Sequence, residues 1–350
     1  MTAVPALAMR FLPEQLRQLK PLVVLVGPTA VGKSRVAVEL AKRLETEIVT
    51  ADSRQIYSGM DVGTDKPPVE SRQGIPHRLI DLVNPDQSFN TGLFRQHALE
   101  AIGELYGCGK LPLVVGGTGL YVRTLLQGLC EAPSADPTVR TQLCEDSRRQ
   151  GPDRLYARLV EVDPITASKL HPRDTSKVIR ALEVHQLSGQ PMSEFQRRHG
   201  FADRPFTALV IGLDRDRAAL YRRIEERIDW QLANGLLEET RRLLDQGYRR
   251  ESSALKGLGY RQIAEHLAGE YDWPEMVRLF KRDTRHFAKR QMTWFRKQQG
   301  ITWVMLSERE TTGMIVDRVA ELVETFLTAH GLAGNGTDHA SERTEEIAPS

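Results

Sequence analysis

Gly27-Pro28-Thr29-Ala30-Val31-Gly32-Lys33-Ser34 follows an apolar run from Leu22 to Val26 and leads into a helical pattern. The order is strand, glycine-rich loop, helix, and the spacing fits G-x-x-x-x-G-K-[ST]. Each part has a task. Gly27 and Gly32 let backbone N–H groups curl around a phosphate, Lys33 neutralises its charge, and the Ser34 hydroxyl is a metal ligand. The helix that begins near Lys33 aims its positive end at the same anion. The loop does not say which diphosphate or triphosphate it holds.

Working outward, Val36, Ala37, Leu40, Ala41 and Leu44 recur at helical spacing and predict a helix that packs on a sheet. Ile48-Val49-Thr50-Ala51 reads as a buried parallel strand whose carboxyl end delivers Asp52, Ser53, Arg54 and Gln55 to the edge where α/β sheets bind ligands. A third apolar piece surrounds Leu79 to Leu82, a helix is expected from Thr91 to Tyr106, and Leu111 to Val115 reads as a strand ending in Gly116-Gly117-Thr118-Gly119. This alternation predicts an α/β fold, a doubly wound parallel sheet with a P-loop core.

From Glu131 to about residue 204, Pro133 and Pro137 introduce short charged helices with no convincing strand, so an inserted all-helical subdomain is expected. The sheet resumes at Phe206 to Leu213, followed by long helices from Arg215 to Gln246 and from Tyr260 to Gln298, a strand at Ile301 to Leu306 and a helix from Thr311 to Ala329. The expected organisation is thus an extension at 1–20, core at 21–130 and 205–330, the insertion between, and a disordered tail at 331–350 that has almost nothing to bury.

The 350 residues carry a net charge of only +2, so affinity for nucleic acid has to come from local clusters of Lys and Arg. Cys108, Cys130 and Cys144 form no C-x-x-C pair and no zinc spacing, which suits a reducing cytosol. No run has the length of a membrane span or the continuous apolar stretch of a signal peptide. One cluster stands out. On the helix around Lys281 to Arg296, Arg282, Arg285, Lys289, Thr293 and Arg296 share a face, while Phe280, Phe287, Gln291 and Phe295 point the other way. A solvated charged face is the ordinary explanation, but the stripe has few compensating acids nearby in sequence, and contact with phosphates is the sharper one.

Several separate stretches resemble one family, the tRNA dimethylallyltransferases of bacterial type. They are the loop at 27–34, Ala-Asp-Ser-Arg-Gln-Ile-Tyr at 51–57 running into Gly-Met-Asp-Val-Gly-Thr-Asp-Lys-Pro at 59–67, and Pro-His-Arg-Leu-Ile-Asp at 76–81. Gly-Gly-Thr-Gly-Leu-Tyr at 116–121, Arg-Ala-Leu-Glu-Val at 180–184, Gly-Tyr-Arg-Gln at 259–262 and Ala-Lys-Arg-Gln-Met-Thr-Trp-Phe-Arg at 288–296 continue the match in order. Gly119 departs from the Met or Ser that the family often has there, and the zinc-finger spacing of eukaryotic relatives is lacking.

The resemblance implies that residues 27–34, including Pro28, Ala30 and Val31, bind the diphosphate of dimethylallyl diphosphate, and that the acceptor is N6 of the adenine immediately 3′ of the anticodon in tRNA. An exocyclic amine is a poor nucleophile, so a base has to take its proton, and Asp52 is the expected base. Thr29, Lys33, Arg227 and a Mg²⁺ ion at Ser34 are expected to meet the charge of the departing pyrophosphate. The tRNA contacts it implies are Asp52 to Gln55, Thr118, Arg140, Ser176-Lys177-Val178-Ile179-Arg180 and Gly259-Tyr260-Arg261, joined by Arg282, Arg285, Lys289, Arg290 and Arg296 of the basic helix. Thr118 also fits a helix cap, Arg180 also fits a surface ion pair, and Asp52 also fits a cap or a metal ligand. Extruding a stacked loop adenine suggests that the inserted helices close over the anticodon loop. A cytoplasmic monomer is the default expectation. The alternatives are prenyl transfer to free adenine nucleotides and a P-loop NTPase or kinase.

Overall fold

The apolar runs become a six-stranded sheet in the order β3-β2-β4-β1-β5-β6, with every neighbouring pair parallel. The computed structural model describes residues 11–201 and 203–332. The expectations for residues 1–10 and 333–350 lie outside the described residues. In chain order come α1 (Pro13–Leu19), β1 (Pro21–Val26), α2 (Lys33–Arg43), β2 (Ile48–Thr50), α3 (Val69–Arg72), β3 (His77–Arg78), α4 (Thr91–Gly107), β4 (Leu113–Gly116) and α5 (Gly119–Gln127). Then follow α6 (Pro137–Gln150), α7 (Pro152–Val162), α8 (Pro164–Ala167), α9 (Thr175–Ser188) and α10 (Met192–His199). The sheet is completed by β5 (Thr207–Arg215) and β6 (Ile301–Leu306), with α11 (Arg217–Ala233), α12 (Leu236–Asp245), α13 (Tyr260–Leu267) and α14 (Trp273–Arg296) between them and α15 (Thr312–Ala329) after.

β1 is buried along its whole length because β4 and β5 flank it and helices cover both faces, so it reads as a continuous apolar run and not as an alternation. Its carboxyl end runs straight into the phosphate loop. Gly27 sits there at φ +151, and a Cβ would stand 2.6 Å from the Leu213 carbonyl oxygen of β5, so only glycine lets the loop leave the sheet. β2, β4 and β5 end at the same edge and deliver Asp52, Thr118 and Arg215 there.

Three expectations about elements change. The helix expected over 215–246 is broken between α11 and α12 by Asn234 and Gly235, the latter at φ +95. That expected over 260–298 is broken after α13, where the Asp272 side chain caps α14 by accepting from the Glu275 N–H at 3.0 Å. The apolar piece at Leu79 to Leu82 is a turn, with Leu79 and Asp81 at positive φ, following the short β3.

The chain divides into two compact units, residues 127–204 and the rest. The smaller is all helix among its described residues, with Leu143, Leu155, Leu159, Val178, Ile179 and Leu182 in its own core. No helix among the described residues is long and apolar enough to cross a membrane.

Candidate active site

The phosphate loop is tied to its own lysine. Lys33 Nζ donates to the Gly27 carbonyl at 3.0 Å and the Pro28 carbonyl at 2.8 Å. Burial pushes the Lys33 ammonium down to about 8; the Asp52 carboxylate opposes that shift, Arg227 adds to it and Asp65 opposes it. The outer side of the loop is held by side chains that the sequence did not single out. Arg223 Nε donates to the Ala30 carbonyl at 2.9 Å, and Arg215 Nε to the Val31 carbonyl at 3.0 Å. Arg223 stands four residues before Arg227 on α11, so helical spacing was the available signal for it. Val31 itself is buried and offers the cradle only backbone. Ser34 is exposed in the first turn of α2.

Gln291 of α14 ties the two glycine loops together. Its Oε1 accepts from the Thr29 N–H at 2.9 Å and its Nε2 donates to the Gly117 carbonyl at 2.9 Å, so only a group with one donor and one acceptor side fits. Sequence periodicity placed Gln291 on the docked face but gave no partner. Gly119 has its own reason: a Cβ there would stand 2.1 Å from the Trp294 ring.

A cleft of about 640 Å³ opens above the loop, with Thr29, Asp52, Thr118, Arg227, Arg261 and Arg290 among its walls. Asp52 is half-buried. One of its oxygens accepts from the Arg54 N–H at 2.8 Å, and the other has no hydrogen-bond partner among the described residues. Thr118 does not cap α5 with its side chain; its hydroxyl accepts from the Ser53 N–H at 3.0 Å and stands 3.3 Å from the Ser53 hydroxyl. Arg227 Nη1 donates to Asp65 at 3.1 Å, while its Nε is buried without a partner.

The 59–67 loop forms one wall and is fixed from below. The Glu239 carboxylate accepts from the N–H groups of Asp61, Val62 and Gly63 at 3.0, 3.0 and 3.2 Å and from the Tyr260 hydroxyl at 2.5 Å. Buried Lys66 reaches Asp61 at 2.6 Å and Asp81 at 2.5 Å, and Gln55 holds the Thr64 and Asp65 carbonyls. Arg54 donates to the Ser253 carbonyl at 2.6 Å.

The structure gives several of the expected tRNA contacts other protein partners. Tyr260 is 1 % exposed, its hydroxyl pushed well up by burial and by the Glu239 charge, so it braces the wall from within. Gly259 beside it adopts φ +87 to start α13. Val178 and Ile179 are core residues of the helical unit, because α9 turns that side inward; Ser176 and Lys177 remain exposed. Arg140 and Arg180 both donate to Glu183 at 2.8 Å. Burial would raise that carboxyl, but hydrogen bonds from Arg180, Arg140 and the Asp136 N–H hold it below the ordinary range.

The basic stripe of α14 is also not short of acids. Arg285 pairs with Glu225 of α11, Arg296 with Asp214 of β5 at 2.9 Å, and Arg282 with Asp283 at 2.8 Å. Asp283 takes a further guanidinium, that of Arg261, at 2.7 Å. Lys289 and Arg290 are exposed without an acidic partner among the described residues, and Arg290 lies 6.0 Å from the Phe287 ring. Phe287 is exposed on the cleft rather than docked like Phe280 and Phe295.

No group of three or more His, Cys, Asp or Glu side chains is placed to hold a metal among the described residues. A Mg²⁺ ion here would draw on the Ser34 hydroxyl, phosphate oxygens and water, a donor set that suits it.

The profile of the IPP transferase family matches residues 55–298. The chain is 49% identical over 283 residues to the tRNA dimethylallyltransferase of Geobacter metallireducens, covering 81% of this chain and 92% of that one. To that of Pelotomaculum thermopropionicum it is 45% identical over 309 residues, 88% of this chain and 98% of the other. Among solved structures it is similar to the full-length tRNA isopentenylpyrophosphate transferase of Bacillus halodurans, at 35% identity and TM-score 0.65, over 89% of this chain and 99% of that one. It is also similar to a eukaryotic dimethylallyltransferase solved acting on tRNA, at 25% identity and TM-score 0.76, over 89% of this chain and 80% of that chain.

Proposed function

The chain belongs to the IPP transferase family and is a tRNA dimethylallyltransferase of bacterial type, and from that premise we propose how its cleft does the work. The enzyme prenylates the adenine immediately 3′ of the anticodon in tRNA. The donor is dimethylallyl diphosphate. Its diphosphate lies in the 27–34 loop, against the loop backbone, Lys33 and the Arg227 guanidinium, which lines the cleft.

The N6 lone pair forms a bond to C1 of the dimethylallyl group while the C1–O bond breaks and its electrons leave on pyrophosphate. Asp52, through its unpartnered oxygen, takes the proton from N6. Lys33 shifts from the Gly27 and Pro28 carbonyls to the leaving oxygens. A Mg²⁺ ion held by Ser34, diphosphate oxygens and water supplies further neutralisation when bound. On the acceptor side, Lys289 and Arg290 contact phosphates, Arg282 and Arg261 line the path of the base, and Ser53 and Thr118 bound it near Asp52. Within the helical unit, Arg140 and Arg180 are both held by Glu183. The protein works as a monomer in the cytoplasm, where its substrate is.

The observation that supports this reading is one continuous cleft that has Thr29 of the phosphate loop, Asp52, Arg227 and Arg290 of the basic helix on its walls. The test is to incubate the protein with dimethylallyl diphosphate, Mg²⁺ and an anticodon stem-loop bearing adenine beside the anticodon, and to look for added prenyl mass. Guanine at that position should give none. Equal product on free AMP would favour the nucleotide-acting alternative, and ATP turnover without a prenyl donor an NTPase.

A further inference from the structure

We propose that Asp65 is a positioning residue that holds Arg227 at the cleft wall and, through its negative charge, limits how tightly the site grips pyrophosphate. The inference rests on the reading above, in which Arg227 meets the leaving group.

The contact is a charged hydrogen bond of 3.1 Å from Arg227 Nη1 to Asp65 Oδ2. Asp65 is not a chance visitor from a loose loop. The Glu239 carboxylate collects the N–H groups of residues 61–63, Lys66, the residue after Asp65, is buried and paired with Asp61 and Asp81, and Gln55 Nε2 donates to the Asp65 carbonyl at 3.1 Å. Asp65 itself sits at φ +54, a left-handed conformation that Gly, Asn and Asp accept more readily than other residues. Anchors and backbone together fix where its carboxylate stands, on the wall shared with Thr29 and Asp52.

That position carries a cost for an anionic substrate. A diphosphate reaching Lys33 and the Arg227 guanidinium meets two carboxylates on the same wall, of which Asp52 has a task as base and Asp65 has none in the chemistry. Asp65 competes for the guanidinium that the diphosphate needs. What it contributes is twofold. An arginine four-fifths buried beside Lys33 has a counter-charge, and pyrophosphate is expelled more readily once the allylic bond has broken. Lys33 likewise has protein acceptors of its own, the Gly27 and Pro28 carbonyls.

Asp65→Asn keeps an acceptor for Arg227 and tolerates the left-handed backbone, while Asp65→Gly removes the charge and relieves the backbone altogether. Both should lower the inhibition constant of pyrophosphate against dimethylallyl diphosphate by about fivefold, with KM for the donor falling in step and kcat no higher than in the unaltered enzyme. Affinity for an anticodon stem-loop should stay the same. Arg227→Ala should move the pyrophosphate constant the other way. If Arg227→Ala weakens pyrophosphate but both Asp65 variants leave it unchanged or weaken it, the inference about Asp65 fails alone. If Arg227→Ala has no effect, the assignment of Arg227 fails and takes the inference with it. Loss of the folded protein in both Asp65 variants would also overturn it, since Asp65 would then be a residue of the fold.

Discussion

Replacing Asp52 by Asn separates the proposed base from everything else the carboxylate does. Asn retains an oxygen to accept the Arg54 N–H now 2.8 Å from Asp52, so the turn after β2 keeps its hydrogen bond. What disappears is the unpartnered basic oxygen and one negative charge. General-base contributions of about 10²- to 10⁴-fold correspond to about 3 to 5 kcal/mol on the barrier. Stability should change by less than about 1 kcal/mol, because the folded state loses no hydrogen bond. A second effect follows from the charge. Asp52 is the strongest of the charges that support protonation of Lys33, so donor binding in the variant should fall off at lower pH than in the unaltered enzyme. Single-turnover prenylation of a stem-loop under saturating donor measures the first effect, and pyrophosphate binding against pH the second. A rate within tenfold of the unaltered enzyme would refute Asp52 as base. So would a parallel loss of RNA affinity, because the residue would then be a docking contact.

Lys33 makes donor use pH-dependent in the unaltered enzyme: kcat/KM for dimethylallyl diphosphate should fall as pH rises through about 8, and Lys33→Arg should lose that limb of the profile. The same shift affects folding. Because the folded value lies below the ordinary 10.5, the unfolded chain binds more protons between about 8 and 10.5, so this group makes the protein more stable as pH rises through that window. On α14, Lys289→Ala should reduce the salt dependence of stem-loop binding by about 0.7 to 0.9 in log–log slope, one phosphate's worth. Arg285→Ala, whose charge Glu225 already matches, should change the slope by less than half of that.

How much of this was legible beforehand depended on how local the cause was. The phosphate loop, β1, β6 and α15 follow from neighbours in sequence, and the loop's spacing carried Lys33 and Ser34 with it. Asp283, which answers Arg282, lies on α14 itself, but the acids that answer Arg285 and Arg296 come from α11 and β5, tens of residues away, and no wheel drawn on one helix contains them. Phe287 shows the same limit: period placed it with Phe280 and Phe295, yet it faces the open cleft. Tyr260 was read as a contact because the segment resembles one, while its burial depends on Glu239 of α12, which sequence gave no reason to suspect. Helix breaks at Gly235 and Gly269 were readable in principle, since glycine followed by a fresh amphipathic run marks a stop.

Arg215 and Arg223 hold the backbone of the phosphate loop from outside. In a trans peptide the carbonyl of one residue and the N–H of the next point in opposite directions. Arg215 draws the Val31 carbonyl outward, so the Gly32 N–H is turned away from that arginine, at the start of α2 where the helix dipole adds to it. Arg223 does the same for the Ala30 carbonyl, and Ala30 accepts a left-handed φ of +63 to allow it. Gln291 fixes the preceding turn through Thr29. Three side chains from β5, α11 and α14 therefore fix the backbone of the loop rather than touch the leaving group, and the Gly32 N–H is the donor they leave for the anion. Their energy is spent when the chain folds, and the charge that develops on pyrophosphate meets dipoles that have no reorganisation left to make.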